Sequence, residues 1–123
     1  MMCARAAKGF EFVDDTTGFR ASNWLVARIG GRLRRKQDVL RQLARALKFP
    51  DYFGWNWDAL DECLRDLSWL GAPEGVVILH KRVPLADESQ RRIYLDILCQ
   101  AQKEQRIPLR IVFPEAGRLE IES

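Results

Sequence analysis

The sequence predicts an α/β fold, a small three-stranded parallel sheet packed with helices in the order β-α-α-β-α-β. Two observations predict it. Three short runs rich in β-forming residues, at 24–29, 76–80 and 109–113, are each bounded by glycine or proline. Between them lie segments whose apolar residues recur at i, i+3, i+4 and i+7, the period of an amphipathic helix. Strands separated by helices pair in parallel, because each crossover returns the chain to the same end of the sheet. A length of 123 residues suits one domain.

The elements follow in chain order. Phe10-Glu11-Phe12-Val13 has the composition of a short strand, and Asp14 to Gly18 reads as a turn. Residues 24–29, WLVARI, form a strand that ends at Gly30-Gly31. Val39, Leu40, Leu43, Ala44 and Leu47 then mark a helix, which Pro50 stops by driving the residue before it out of the helical region. Residues 51–56, DYFGWN, are an aromatic loop in which Gly54 is expected to supply the backbone freedom of a tight turn. A second helix starts near Trp57, with Asn56 as N-cap and Leu60, Cys63, Leu64 and Leu67 as its apolar stripe. VVILH at 76–80 suits a strand covered on both faces. A third helix spans 87–105, with Ile93, Ile97, Leu98 and Ala101 on one face. After LRIVF at 109–113, the tail 114–123 is expected to turn back and add an edge strand through Leu119 and Ile121.

Composition removes several function classes. Apolar residues at 47% and charged residues at 30% describe a chain with a packed core. No apolar run reaches the length of a membrane span, and the first twelve residues lack the apolar centre of a signal peptide. Cys3, Cys63 and Cys99 cannot all pair and include no CxxC, so neither a disulfide scaffold nor a zinc site is indicated. A cytoplasmic setting is the expectation. There is no phosphate-binding loop, no dinucleotide fingerprint and no clustered metal ligand, so no cofactor or metal is expected. The single histidine, His80, ends an apolar run and reads as a structural residue. With no nucleophile and base to pair, the sequence argues against an enzyme.

Charge is unevenly placed. Residues 28–48 carry eight cations against Asp38 alone, whereas residues 51–66 carry five carboxylates against Arg65. On the second helix Asp58, Asp61 and Glu62 stand at i, i+3 and i+4, which puts three carboxylates on one face. Acids so placed also suit the solvated face of an ordinary helix. The aromatics change the weighing, since Tyr52, Phe53, Trp55 and Trp57 fall within six positions and a short polar loop can hardly bury all four. Exposed rings beside carboxylates have the makeup of a protein interface. The basic stretch GRLRRK could hold phosphate or RNA, but no aromatic is interleaved with it. A solvated turn is the preferred reading there, and nucleic acid is not the expected partner.

Residues 49–67, FPDYFGWNWDALDECLRDL, resemble the signature of the barstar family, intracellular inhibitors of barnase-type ribonucleases. Pro50, Asp51, Tyr52, Phe53, Gly54, Asn56, Asp58, Ala59, Leu60, Glu62, Cys63 and Leu64 meet the family pattern P-[DE]-Y-[YF]-G-x-N-x-D-A-L-x-[DE]-C-L. A looser, collinear likeness runs from about Trp24 to Phe113, which sets a barstar-like domain at 23–113 between an N-terminal extension, 1–22, and a tail, 114–123. The resemblance implies a small three-stranded parallel sheet with helices. It also implies a monomeric inhibitor whose second helix and preceding loop plug the cationic site of a ribonuclease, carboxylates lying where RNA phosphates would. Tyr52, Trp55, Trp57, Asp58, Asp61 and Glu62 are the partner-binding residues on this reading, with Asp61 standing where the best-known member has a tryptophan. The alternative is a barstar-like module with a regulatory or nucleic-acid-binding role through the basic segment 28–48. Net charge of +3 departs from an often acidic family, and a further acidic contact expected near Ala101 and Gln102 is missing.

Overall fold

Among the described residues, runs rich in Val, Ile, Leu and Phe form four strands, and all of them pair in parallel. The computed structural model describes residues 9–71, 73–104 and 106–122. Cys3 and the rest of the first eight residues, with Ala72, Gln105 and Ser123, lie outside the described residues. The strands are β1 (Glu11–Val13), β2 (Leu25–Ile29), β3 (Val76–His80) and β4 (Leu109–Pro114), in the spatial order β1-β4-β3-β2. Leu25 to Ile29 stand opposite Val76 to His80, and Val76 to Leu79 stand opposite Leu109 to Val112. The added edge strand is the N-terminal one, with Glu11 opposite Val112. The Glu11 carboxylate accepts two hydrogen bonds of 2.7 Å from the Arg110 guanidinium, which clamps this edge in place.

The expected C-terminal edge strand does not form. Glu115–Gly117 is a single 3₁₀ turn and Arg118–Glu122 a short helix, α4. Arg118 pairs with Glu115 and Glu122, three and four residues away, which helical spacing brings together. Alternation would put Leu119 and Ile121 on one face of a strand. The helix separates them, burying Ile121 and leaving Leu119 81% exposed.

The other helices are α1 (Lys36–Ala46), α2 (Trp57–Asp66) and α3 (Glu88–Glu104). Their apolar faces meet Ala27, Ile29, Ile78, Ile111 and Phe113 in one core on one side of the sheet. The alternate residues Val77, Leu79 and Val112 face the other side, under Phe19, Ala21 and Trp24. This is why β3 is buried along its whole length. Trp24 lies so close to the backbone that a Cβ on Gly75 would come within 2.6 Å of its ring.

Of the face expected on α3, Leu98 and Ala101 are buried and Ile97 packs against the core, and Ile93 alone departs. Tyr94, Leu95, Leu98, Cys99 and Ala101 point inward, while Ile93 is 39% exposed. The cause is polar. Tyr94 OH lies 2.7 Å from His80 Nε2, a partner that a pattern of apolar residues does not register.

Candidate functional site

On α2 the packing residues and the charged residues separate cleanly. The Asn56 side chain accepts the Ala59 amide at 2.7 Å and caps the first turn. Leu67 closes the helix in the left-handed conformation, its amide donating to the Cys63 carbonyl at 3.1 Å. Leu60, Cys63, Leu64 and Leu67 are all buried, which seats the helix in the core. Burial pushes the Cys63 thiol up to about 11, with Asp66 and Glu62 adding to the shift, so it stays protonated near neutrality.

With that stripe inward, Asp58 and Glu62 are exposed. Neither has a cationic partner among the described residues. Asp58 sits in the first turn, where the helix dipole favours an anion. Asp61 is different. Its Oδ2 lies 2.9 Å from Arg65 Nη2 on the next turn, and Asp66 pairs with Arg106 at 3.3 Å. The three-acid face expected from spacing is therefore two open carboxylates beside one that the helix itself neutralises.

The four rings divide as well. Tyr52 and Trp55 are 73% and 47% exposed. Phe53 is buried, its centroid 4.8 Å from that of Phe49. Trp57 is half-buried between α2 and α3, with its centroid 5.9 Å from that of Tyr94 and its indole N–H donating to Gln90 Oε1 at 2.8 Å. Within the loop Gly54 keeps a negative or extended φ. The left-handed residue is Trp55, at φ 56°, a conformation that costs a bulky residue about 1–2 kcal/mol. Residues far away in sequence hold the loop there. Gln90 anchors Trp57 across 33 positions, and Gln37 Nε2 reaches the Trp55 carbonyl at 3.5 Å across 18. No local pattern marks either glutamine.

The family model for Barstar, the barnase inhibitor, matches residues 25–114. The chain belongs to the barstar family. The matched span opens on the first residue of β2 and closes on the last of β4, so β1 and α4 flank it and the acidic helix lies within it. No curated protein matches the chain.

Within this barstar-family chain neither Ala101 nor Gln102 supplies another acid to the α2 face. Ala101 is fully buried, and Gln102 donates to the carbonyls of Gly9 and Leu109 at 3.0 and 3.2 Å. His80 belongs to the core. Its Nδ1 donates to the Val112 carbonyl at 3.0 Å, which leaves Nε2 to accept from Tyr94 OH, and its ring stacks on Phe113 at 4.1 Å. Burial holds its pKa down to about 4, so it is neutral at pH 7. Among the described residues no three His, Cys, Asp or Glu side chains gather as a metal site. No helix among them is long and apolar enough to cross a membrane.

Proposed function

We propose that this chain inhibits a barnase-type ribonuclease by laying α2 and the 51–56 loop over the enzyme's cationic active site. The observation that carries the reading is the pair Asp58 and Glu62, exposed and without a cation of their own, beside the exposed rings of Tyr52 and Trp55. Open carboxylates on a rigid helix raise the rate of encounter with a cationic cleft and fix register once inside it. Tyr52 and Trp55 supply the apolar contact area that charges lack. Trp57 acts chiefly by bracing α2 against α3, and Asp61 contributes less than its neighbours because Arg65 already holds it. The inhibitor works as a monomer in a 1:1 complex, in the cytoplasm, where host RNA needs protection. It performs no catalysis itself.

The test is a titration of barnase-type ribonuclease activity on a fluorogenic RNA substrate. Stoichiometric inhibition, with association slowing steeply as salt rises, is expected of the parent. Asp58→Lys with Glu62→Lys should abolish it while the protein stays folded, as a thermal melt establishes. Equal inhibition by parent and reversed protein would overturn the assignment.

A further inference from the structure

We infer that the rim at the C-terminal ends of β2 and β3 is a second binding surface, one that takes the phosphate backbone of RNA. Nucleic acid is not the partner expected when only the segment 28–48 is considered. That segment proves to be divided, since Asp38 lies within 3.5 Å of Arg35 and 3.8 Å of Arg41 and draws on both. The fold then adds what the linear segment lacks. The loop after β2 is zipped to the loop after β3 by three backbone hydrogen bonds. Lys81 donates to Ile29 at 2.9 Å, Leu85 to Leu33 at 2.6 Å and Ala86 to Arg34 at 3.2 Å. Arg32 and Arg34 therefore share one rim with Lys81 and Arg82, all four exposed and none in an ion pair among the described residues. No carboxylate occurs in residues 28–35 or 79–86; Asp87 and Glu88 follow directly, Asp87 accepting the Ser89 amide and Glu88 pairing with Arg92.

The rim also contains a cleft. An open cavity of about 420 Å³ is bordered by Arg28 and Lys81 on the strand ends and by Thr16 and Thr17 on the covering loop. The C-terminal ends of parallel strands are where α/β sheets receive phosphate-bearing ligands. Arg28 is held across the cleft by the carbonyls of Thr16 and Phe19 at 3.1 and 2.6 Å. The acids of the framing stretches are Asp14 and Asp15, and Asp15 is occupied by the Thr17 amide and hydroxyl. Leu79, which lines the cleft, belongs to the sheet face opposite the helices, whereas Leu33 and Leu85 of the two rim loops pack in the helix-side core.

Guanidinium forks match phosphate oxygens. The rim loops themselves, 28–35 and 79–86, contain no ring exposed for a base to stack on. The surface thus suits backbone contact without sequence preference, and it offers no exposed apolar anchor for a lipid bilayer. Bound there, the protein would sit on the substrate of the ribonucleases its family inhibits.

The experiment is binding of the whole chain to a 20-base-pair RNA duplex of arbitrary sequence, measured by fluorescence anisotropy against salt. Micromolar binding at low salt is expected, the same for a second unrelated sequence, with a log–log salt slope of about −4. Arg32→Glu with Arg34→Glu and Lys81→Glu should weaken binding at least tenfold, and the milder triple change to Gln should weaken it less. A control with the same charge change elsewhere, Arg45→Glu with Lys48→Glu and Lys103→Glu, should retain most of it. Circular dichroism melts establish that each variant is folded. Equal loss in the control would overturn the proposal, since net charge alone would then explain binding. No RNA binding, or capture by phosphatidylserine vesicles in its place, would overturn it too.

Discussion

Two pairs of carboxylates share α2, and the molecule treats them differently. Asp61 and Asp66 each find an arginine of this chain, while Asp58 and Glu62 find none among the described residues. All four are carboxylates of one helix, so the difference lies in placement. Asp61 has Arg65 one turn further along the helix, and Asp66 lies near Arg106 beyond the end of α3. The positions one turn on from Asp58 and Glu62 hold Glu62 and Asp66, which repel rather than pair. Asp61 and Asp66 are satisfied within the fold, and the other two are left open to solvent.

The strongest way to break this contrast is charge reversal at the open pair. Each buried interfacial ion pair that loses a partner costs at least about a hundredfold in affinity, so Asp58→Lys with Glu62→Lys should weaken ribonuclease inhibition by about ten-thousandfold or more. Inhibition constants measured beside melting temperatures check it. The reversed pair repels as the parent pair does, and a cation at position 58 loses the favourable helix dipole, so the melting temperature should fall only by a few degrees.

The buried side of the same helix should respond in the opposite way. Leu64 is almost fully buried, and Leu64→Ala leaves a cavity costing about 3 kcal/mol. Urea denaturation should report that loss, with a melting point lower by roughly 10 °C. Inhibition at a temperature where the variant is folded should change little. A large loss of affinity in the folded variant would mean that the two faces are not independent.

A third measurement sharpens the contrast through pH. His80 is buried and neutral, with a pKa near 4 in the folded chain against about 6.5 unfolded. Between those values the unfolded chain takes up a proton that the folded chain refuses. Stability is therefore full above pH 6.5 and falls as pH drops toward 4, by on the order of 3 kcal/mol in total. Urea midpoints at pH 7.5 and 4.5 should show the loss, and a variant with His80→Gln should lose most of the pH dependence. Tyr94→Phe, which leaves Nε2 without its donor, should cost about 1–3 kcal/mol at pH 7.

These contrasts also explain how much the sequence discloses. The apolar stripe of α2, its Asn56 cap and the all-apolar run of β3 follow from local spacing, and the fold obeys them. Local spacing fails where a partner is distant. α3 turns to bring Tyr94 to His80, fourteen residues earlier, and exposes Ile93. The tail becomes helical because Arg118 binds acids on both sides of it, which a count of apolar alternation overlooks. At the site, the exposure of Tyr52 and Trp55 follows from crowding four rings into one loop. That Trp55 rather than Gly54 takes the left-handed turn depends on the Phe49–Phe53 packing below and on Gln37 alongside, and neither is written in the loop itself.

The smallest expected effect is the sharpest test of the opening comparison. Asp61→Asn removes one negative charge from α2, as Asp58→Asn does, so any account based on total charge makes the two equal. The pairing makes them unequal. Asp61 and Arg65 form an i, i+4 pair that is one-third exposed on each side, and such pairs contribute about 0.3–0.5 kcal/mol. Losing it should move the melting temperature by no more than about 2 °C. In the complex, a carboxylate already shared with Arg65 presents little net charge, so Asp61→Asn should weaken inhibition less than tenfold, whereas Asp58→Asn should weaken it by at least about a hundredfold. A double-mutant cycle with Arg65→Gln separates the terms, because freeing Asp61 from its arginine should make its own removal more costly. Equal losses for Asp61→Asn and Asp58→Asn would mean that pairing within the free molecule does not distinguish scaffold from site, and that all three acids of the face act as one field.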